Sequence, residues 1–363
     1  MMGTGGLKLS VHAGERDRGA HGLLADELIE IYERCGVRTS VLLRGVEGFG
    51  LRHRLRSDRL LSLSEDLPVV AVALDEAPRV QAALAEVERV SAHGLIALER
   101  IELVGAGAGM LDSAPGGARL TLLAGRAQRT DGRATHAVVV ESLHRHGLDG
   151  ASVLVGLDGT LAGRRHRARL LDANTHVPVM VDGVGSCERV AAAAEELSSL
   201  LPAAALALER VTICKRDGVH LAEPPPAPQG DAGELSWWQR LVVHAGEQSR
   251  HEHEPLHGAL VRRLRREGAA GATVLRGHWG FYGEDPPHGE RFWSLTRRVP
   301  ALTLVLDTPA NTGRWFEIID EMTARTGLVT CEQVPALRSG APGVRHGGVR
   351  LAPAVRHGDG GRS

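Results

Sequence analysis

Residues 7–12, LKLSVH, alternate apolar and polar positions and stop at Ala13-Gly14, the two-residue period of a half-buried strand. Leu24, Leu28, Ile31 and Cys35 then recur at helical spacing, and Gly36 stands where a left-handed C-terminal cap belongs. Residues 37–44 form a second apolar run. A loop of about twenty residues follows, longer than connections inside compact domains usually are. Residues 67–74 read as a third strand. Val80, Leu84 and Val87 mark a second helix with Pro78 in its first turn. Residues 95–103 alternate again, and the predicted order is βαββαβ.

The same pattern occurs three times. HAGERDR (12–18), LAGRAQR (123–129) and HAGEQSR (244–250) align at constant offsets. Those offsets also superpose Gly36, Gly147 and Gly268, then Gly45, Gly156 and Gly277, then Gly48, Gly159 and Gly280. Leu67-Pro68, Val177-Pro178 and Val299-Pro300 follow, and LERIEL, LERVTI and CEQVPA close the units. The predicted units are 5–104, 119–215 and 237–337. A glycine-rich linker (105–118) and a proline-rich one (216–236) join them, and residues 338–363 are predicted to be a disordered tail.

The expected fold class is therefore α+β, with three ferredoxin-like βαββαβ repeats. Each would be a four-stranded antiparallel sheet with both helices on one face. The other face needs a partner. Three tethered copies can cover one another around a pseudo-threefold axis, so a single-chain pseudo-trimer that stays monomeric is expected.

Composition narrows the function. Among 363 residues the net charge is −1, which gives no general pull toward nucleic acid or anionic membrane. No stretch approaches the length of an apolar membrane span, and no basic region precedes an apolar run at the start. Cys35, Cys187, Cys214 and Cys331 lack CxxC spacing and read as reduced thiols of a cytoplasmic protein. No Walker, GxSxG or HExxH motif appears, so no enzyme is expected. Aromatic residues are 3%, too sparse for base stacking on a sheet.

An anion site is the better candidate. Arg18, Arg129 and Arg250 are equivalent and precede the first helix of each unit, where free N–H groups and guanidinium forks suit phosphate. Arg44 and Arg276 end the second strand beside Gly45, Gly48, Gly277 and Gly280, where backbone can approach a ligand closely. The alternative is that these arginines pair on the surface with Glu15, Asp17 or Glu247. Unit two has Val155 in place of the second arginine, and is expected to be scaffold. The long loops carry Arg52, His53, Arg54, Arg56 and Arg59 in unit one, RRHRAR (164–169) in unit two and GFYGEDPPHGERFW (280–293) in unit three. His251, His253 and His257, with Glu252 or Glu254, form a candidate metal set.

GERDR (14–18), LRGVEGFG (43–50) and LSEDLPVV (63–70) resemble the PII-like family called domain of unknown function 190. The likeness is close over 7–103. Unit three keeps HAGEQSR and VLRGHWGFYG but has LTRRVP (295–300), and unit two keeps its length and glycines. The resemblance implies a trimer similar to PII signalling proteins, with nucleotides in clefts between subunits. It also implies long loops that contact a protein partner, a membrane transporter among the candidates. SAHGLI (91–96) stands where PII proteins carry a nucleotide loop, which leaves the ligand open. The leading expectation is a non-enzymatic regulator that binds a small anionic ligand, a nucleotide by resemblance, between repeats. The alternatives are a metal-binding protein using the three histidines and a ligand-free structural adaptor.

Overall fold

The computed structural model describes residues 5–50, 55–57, 66–91, 94–104, 116–168, 176–226, 236–283, 285–289, 299–339 and 345–346. In repeat 1 the order is strand Gly5–Gly14, helix Leu24–Arg34, strand Thr39–Arg44, strand Pro68–Glu76, helix Ala77–Val90 and strand Gly94–Val104. Repeat 2 follows with Gly117–Gly125, Thr135–Arg145, Gly150–Val155, Pro178–Ser186, Cys187–Leu200 and Ala205–Arg216. Repeat 3 has Ser236–Gly246, Leu256–Glu267, Ala272–Arg276, Pro300–Asp307, Pro309–Met322 and Leu328–Ser339. In every repeat the first strand lies between the third and the fourth, and the second pairs with the outer edge of the third. All these pairs are antiparallel.

The alternation of strand residues decides what each face meets. Leu7, Leu9 and Val11 pack with Leu24, Leu28 and Val80 under the two helices of repeat 1. Gly36 ends the first helix at φ +69°, the left-handed conformation expected of it. The intervening strand positions face the other way. Leu43 and Val72 of repeat 1, Leu154 and Met180 of repeat 2, and Val242 and Leu302 of repeat 3 form one buried cluster where the three sheets meet.

Backbone pairing closes the three repeats into a ring twice over. After its second strand, each chain segment crosses to a neighbour. Glu47–Phe49 pairs with the second strand of repeat 3, Trp279–Tyr282 with that of repeat 2, and Asp158 bridges to Leu42 of repeat 1. The fourth strands form the other circuit through Leu206↔Val104, Thr212↔Cys331 and Ala336↔Ala97. The last strand runs on to Ser339 and pairs with Arg345–His346, so structure continues past the predicted boundary at 337. Ladder hydrogen bonds, which local composition does not reveal, extend it. Residues 105–115 of the first linker and the tail beyond 346 lie outside the described residues.

The crossing explains the repeated glycines. A β-carbon at Gly48 would stand 2.4 Å from the carbonyl oxygen of Ala272, one at Gly159 2.2 Å from that of Ser40, and one at Gly280 2.1 Å from that of Ala151. These three carbonyls are themselves repeat-equivalent. The glycines admit the neighbouring repeat's backbone, and no side chain fits between. Gly159→Ala is therefore expected to cost about 2 kcal/mol or more in chemical denaturation, since its φ of +152° also disfavours a side chain. Gly50→Ala, with nothing within 4 Å of the new atom, should leave the midpoint nearly unchanged.

Candidate functional site

The centre of the molecule is charged. Lys8, Arg119 and Arg240 occupy one equivalent place on the first strands, and Glu99, Glu209 and Glu332 one place on the fourth strands. Lys8 Nζ lies 3.2 Å from Glu99 of its own repeat and also contacts Glu209 of repeat 2. Arg240 donates to Glu99 of repeat 1 at 2.8 and 3.1 Å, and its Nε donates to Glu332 of its own repeat at 2.8 Å. Arg119 contacts Glu332 of repeat 3, and its Nε lies 3.1 Å from Asp182. The series Glu209–Lys8–Glu99–Arg240–Glu332–Arg119 thus visits all three repeats as an open chain of ion pairs. Its members and Asp182 are only 4–8% exposed.

The members of this network are not electrostatically equal. Burial works to raise the carboxyl of Glu332, but Arg119 and Arg240 outweigh it and hold that group at about 2. Burial pushes the carboxyl of Glu209 up against the pull of Lys8. His12 and His244 sit four residues further along the same strand face, and repeat 2 has Leu123 there. Burial brings His244 down to about 4, and burial with Arg240 does the same for His12. Neither Nε2 has a hydrogen-bond partner among the described residues. Glu99, Glu209 and Glu332 also line a cavity of ≈ 970 Å³ shared by the three repeats, with Arg100, Arg210 and Trp237.

The second strands that end in Arg44 and Arg276 are each met by a neighbouring repeat. Arg44 is exposed and donates to Glu15 at 2.8 and 3.2 Å. Arg276 Nε lies 2.8 Å from Glu247. Both form the surface pairs that were the alternative reading. Arg18 and Arg250 are exposed, beside short backbone bridges that precede the first helix of their repeats. Gly45 and Gly277 donate their amides to the carbonyls of Pro68 and Pro300, both at 2.7 Å. Close approach at Gly48 and Gly280 is by neighbouring protein backbone.

Of the long loops, Arg52, His53, Arg54, Arg59 and residues 290–293 lie outside the described residues. Arg56 is held by Asp66 at 3.0 Å. Arg165 is a clamp and not a solvated charge. It binds Asp158 through Nε at 3.0 Å and Nη2 at 2.6 Å, and it reaches Glu30 on the first helix of repeat 1 at 3.3 Å. The three metal candidates are not brought together. His257 is buried in the first turn of Leu256–Glu267, His251 is half-buried on a short strand, and His253 is exposed. Among the described residues no three side chains of metal-ligating type converge.

The profile of the DUF190 family (Uncharacterized ACR) matches residues 6–103, 117–213 and 238–336, which is most of the chain. The chain belongs to the DUF190 family. It is also similar to the UPF0166 protein of Aquifex aeolicus (strain VF5), 30% identical over 77 residues, or 21% of this chain and 72% of the relative.

The buried charge network of this DUF190 chain was missed from sequence, although its signal was present. A lysine or arginine recurs in each first strand, and the glutamate of LERIEL, LERVTI and CEQVPA recurs in each fourth. Neither was read as charge because both stand inside apolar strands. Glu332→Gln removes a carboxylate shared by two buried guanidinium groups and is expected to cost about 3–5 kcal/mol in urea unfolding.

Acid should destabilise the protein through His244. Its folded value lies below the ordinary 6.5, so the unfolded chain takes up the proton first. Its contribution is complete above about pH 6.5 and is lost as pH falls toward 4, amounting to about 3 kcal/mol. Glu332 extends the loss below pH 4.5 toward its folded value of about 2. Urea midpoints from pH 7 to 4 test this, and His244→Leu, which copies Leu123, should make the upper part of the curve shallower while the like contribution of His12 remains.

Proposed function

We infer that this DUF190 chain is a single-chain pseudo-trimer of ferredoxin-like repeats, similar to PII proteins, that works as a non-enzymatic cytoplasmic regulator. It binds a small anionic ligand, a nucleotide being the first choice, in the grooves between repeats. It reports ligand state to a protein partner through its long loops, with a membrane transporter one such partner. The observation that supports this most is the crossing of each post-second-strand segment onto the neighbouring repeat. Every groove is thereby built from two repeats and is sensitive to their relative placement. Arginine recurs at the rims as Arg44, Arg126 and Arg276. The double closure supplies a rigid core on which three loops of different composition can meet an asymmetric partner.

Among the described residues no helix is long and apolar enough to cross a membrane. Light scattering should return the mass of one chain, because the surfaces that join repeats are used within it. A stable assembly of three chains would overturn the pseudo-trimer reading. In a thermal-shift screen a nucleotide should raise the melting temperature, since a ligand at 100 times its Kd adds about 2.7 kcal/mol. A rise with divalent metal alone would favour the histidine site instead, and no rise with either would favour a ligand-free adaptor.

A further inference from the structure

The three grooves are not alike, and the difference is one of charge. In repeats 1 and 3 the groove cation already has an internal anion: Glu15 for Arg44 and Glu247 for Arg276. In repeat 2 the same two places hold Arg126 and Val155. The acid has become a base and its former partner has become apolar. Other carboxylates of the first groove are gone as well. Asp17, Asp26 and Asp66 correspond to Gln128, Ala137 and His176. The nearby Glu141 is taken by Arg133. Arg126 and Arg129 have no side-chain partner among the described residues.

What faces these arginines is basic too. Repeat 3 crosses onto repeat 2 here, and the His278 amide donates to the carbonyl of Val153 at 2.7 Å. His136 stands in the first turn of helix Thr135–Arg145, the end that carries free N–H groups. Its Nδ1 is shut from solvent without a hydrogen-bond partner among the described residues, and so is Nε1 of the neighbouring groove residue Trp279. Burial, and then the closeness of His278, Arg126 and Arg129, disfavours charge on His136. The groove therefore gathers two arginines, two histidines and unpartnered polar atoms from two repeats, and the exposed Asp131, two residues from Arg129, is the carboxylate that stands nearest to them in the chain.

We propose that the groove between repeats 2 and 3 is the phosphate site of this protein, in which Arg126 and Arg129 hold a phosphoryl group of a small molecule and His136 and His278 flank it. This rests on the ligand-binding reading above and reverses one part of the sequence expectation. The loss of arginine at Val155 does not retire repeat 2; it leaves Arg126 free of an internal acid, so that an external anion can take that place. At Arg44 and Arg276 an internal glutamate already takes the place that an external anion would hold.

The test is calorimetric titration of the full chain with ATP and, separately, with inorganic pyrophosphate. One equivalent of either should bind. Arg126→Ala and Arg129→Ala should each weaken binding about tenfold or more, the usual scale for a charge-assisted bond. Arg44→Ala and Arg276→Ala should leave it within about twofold, well below the loss of one such bond. Val155→Glu, which rebuilds the acid–base pair in mirror image, should weaken binding without removing any arginine, and it serves where an arginine variant is poorly folded. Binding that survives loss of Arg126 and Arg129 but fails with Arg44→Ala or Arg276→Ala would overturn this assignment and leave the general reading standing. Three equivalent sites would also overturn it. No saturable binding of either probe to the parent chain would remove both.

Discussion

The buried network of charge is the constraint on which the rest of the structure depends. Taking an ammonium, a guanidinium or a carboxylate out of water costs several kcal/mol per ion, and only well-placed partners offset it. No repeat holds its own balance. Glu99 needs Arg240 of repeat 3 as well as Lys8, Glu332 needs Arg119 of repeat 2 as well as Arg240, and Lys8 reaches Glu209 of repeat 2. A repeat that rotated or slid would leave a buried charge bare. The network thus favours the one relative arrangement of the three sheets in which these charges are paired.

Backbone pairing converts that arrangement into a closed body. Each segment after a second strand must lie against the next repeat, and Gly48, Gly159 and Gly280 are the points where main chain meets main chain. This requirement accounts for glycine at the equivalent place in all three units while the residues around it differ. Arg165 adds a clamp between repeats 2 and 1, gripping Asp158 and the first helix of repeat 1. Joining the copies in one chain permits such differences, because a substitution need not be accepted three times. The same freedom allows the acid-to-base difference between Glu15 and Arg126.

The sequence by itself determined the three units, the βαββαβ order and the faces of the strands. Those follow from local periodicity, and Leu24, Leu28, Ile31 and Gly36 act within a few residues of one another. It did not determine what the exposed sheet faces meet. Lys8 and Glu99 lie far apart in the chain, and each looks like an isolated exception inside an apolar strand until the sheets are brought together. Glycines read as room for a ligand became room for a neighbouring carbonyl, and Arg44 and Arg276 acquired carboxylate partners. Only tertiary structure decided these points, because burial and pairing are properties of the space between repeats and not of the order of residues within one.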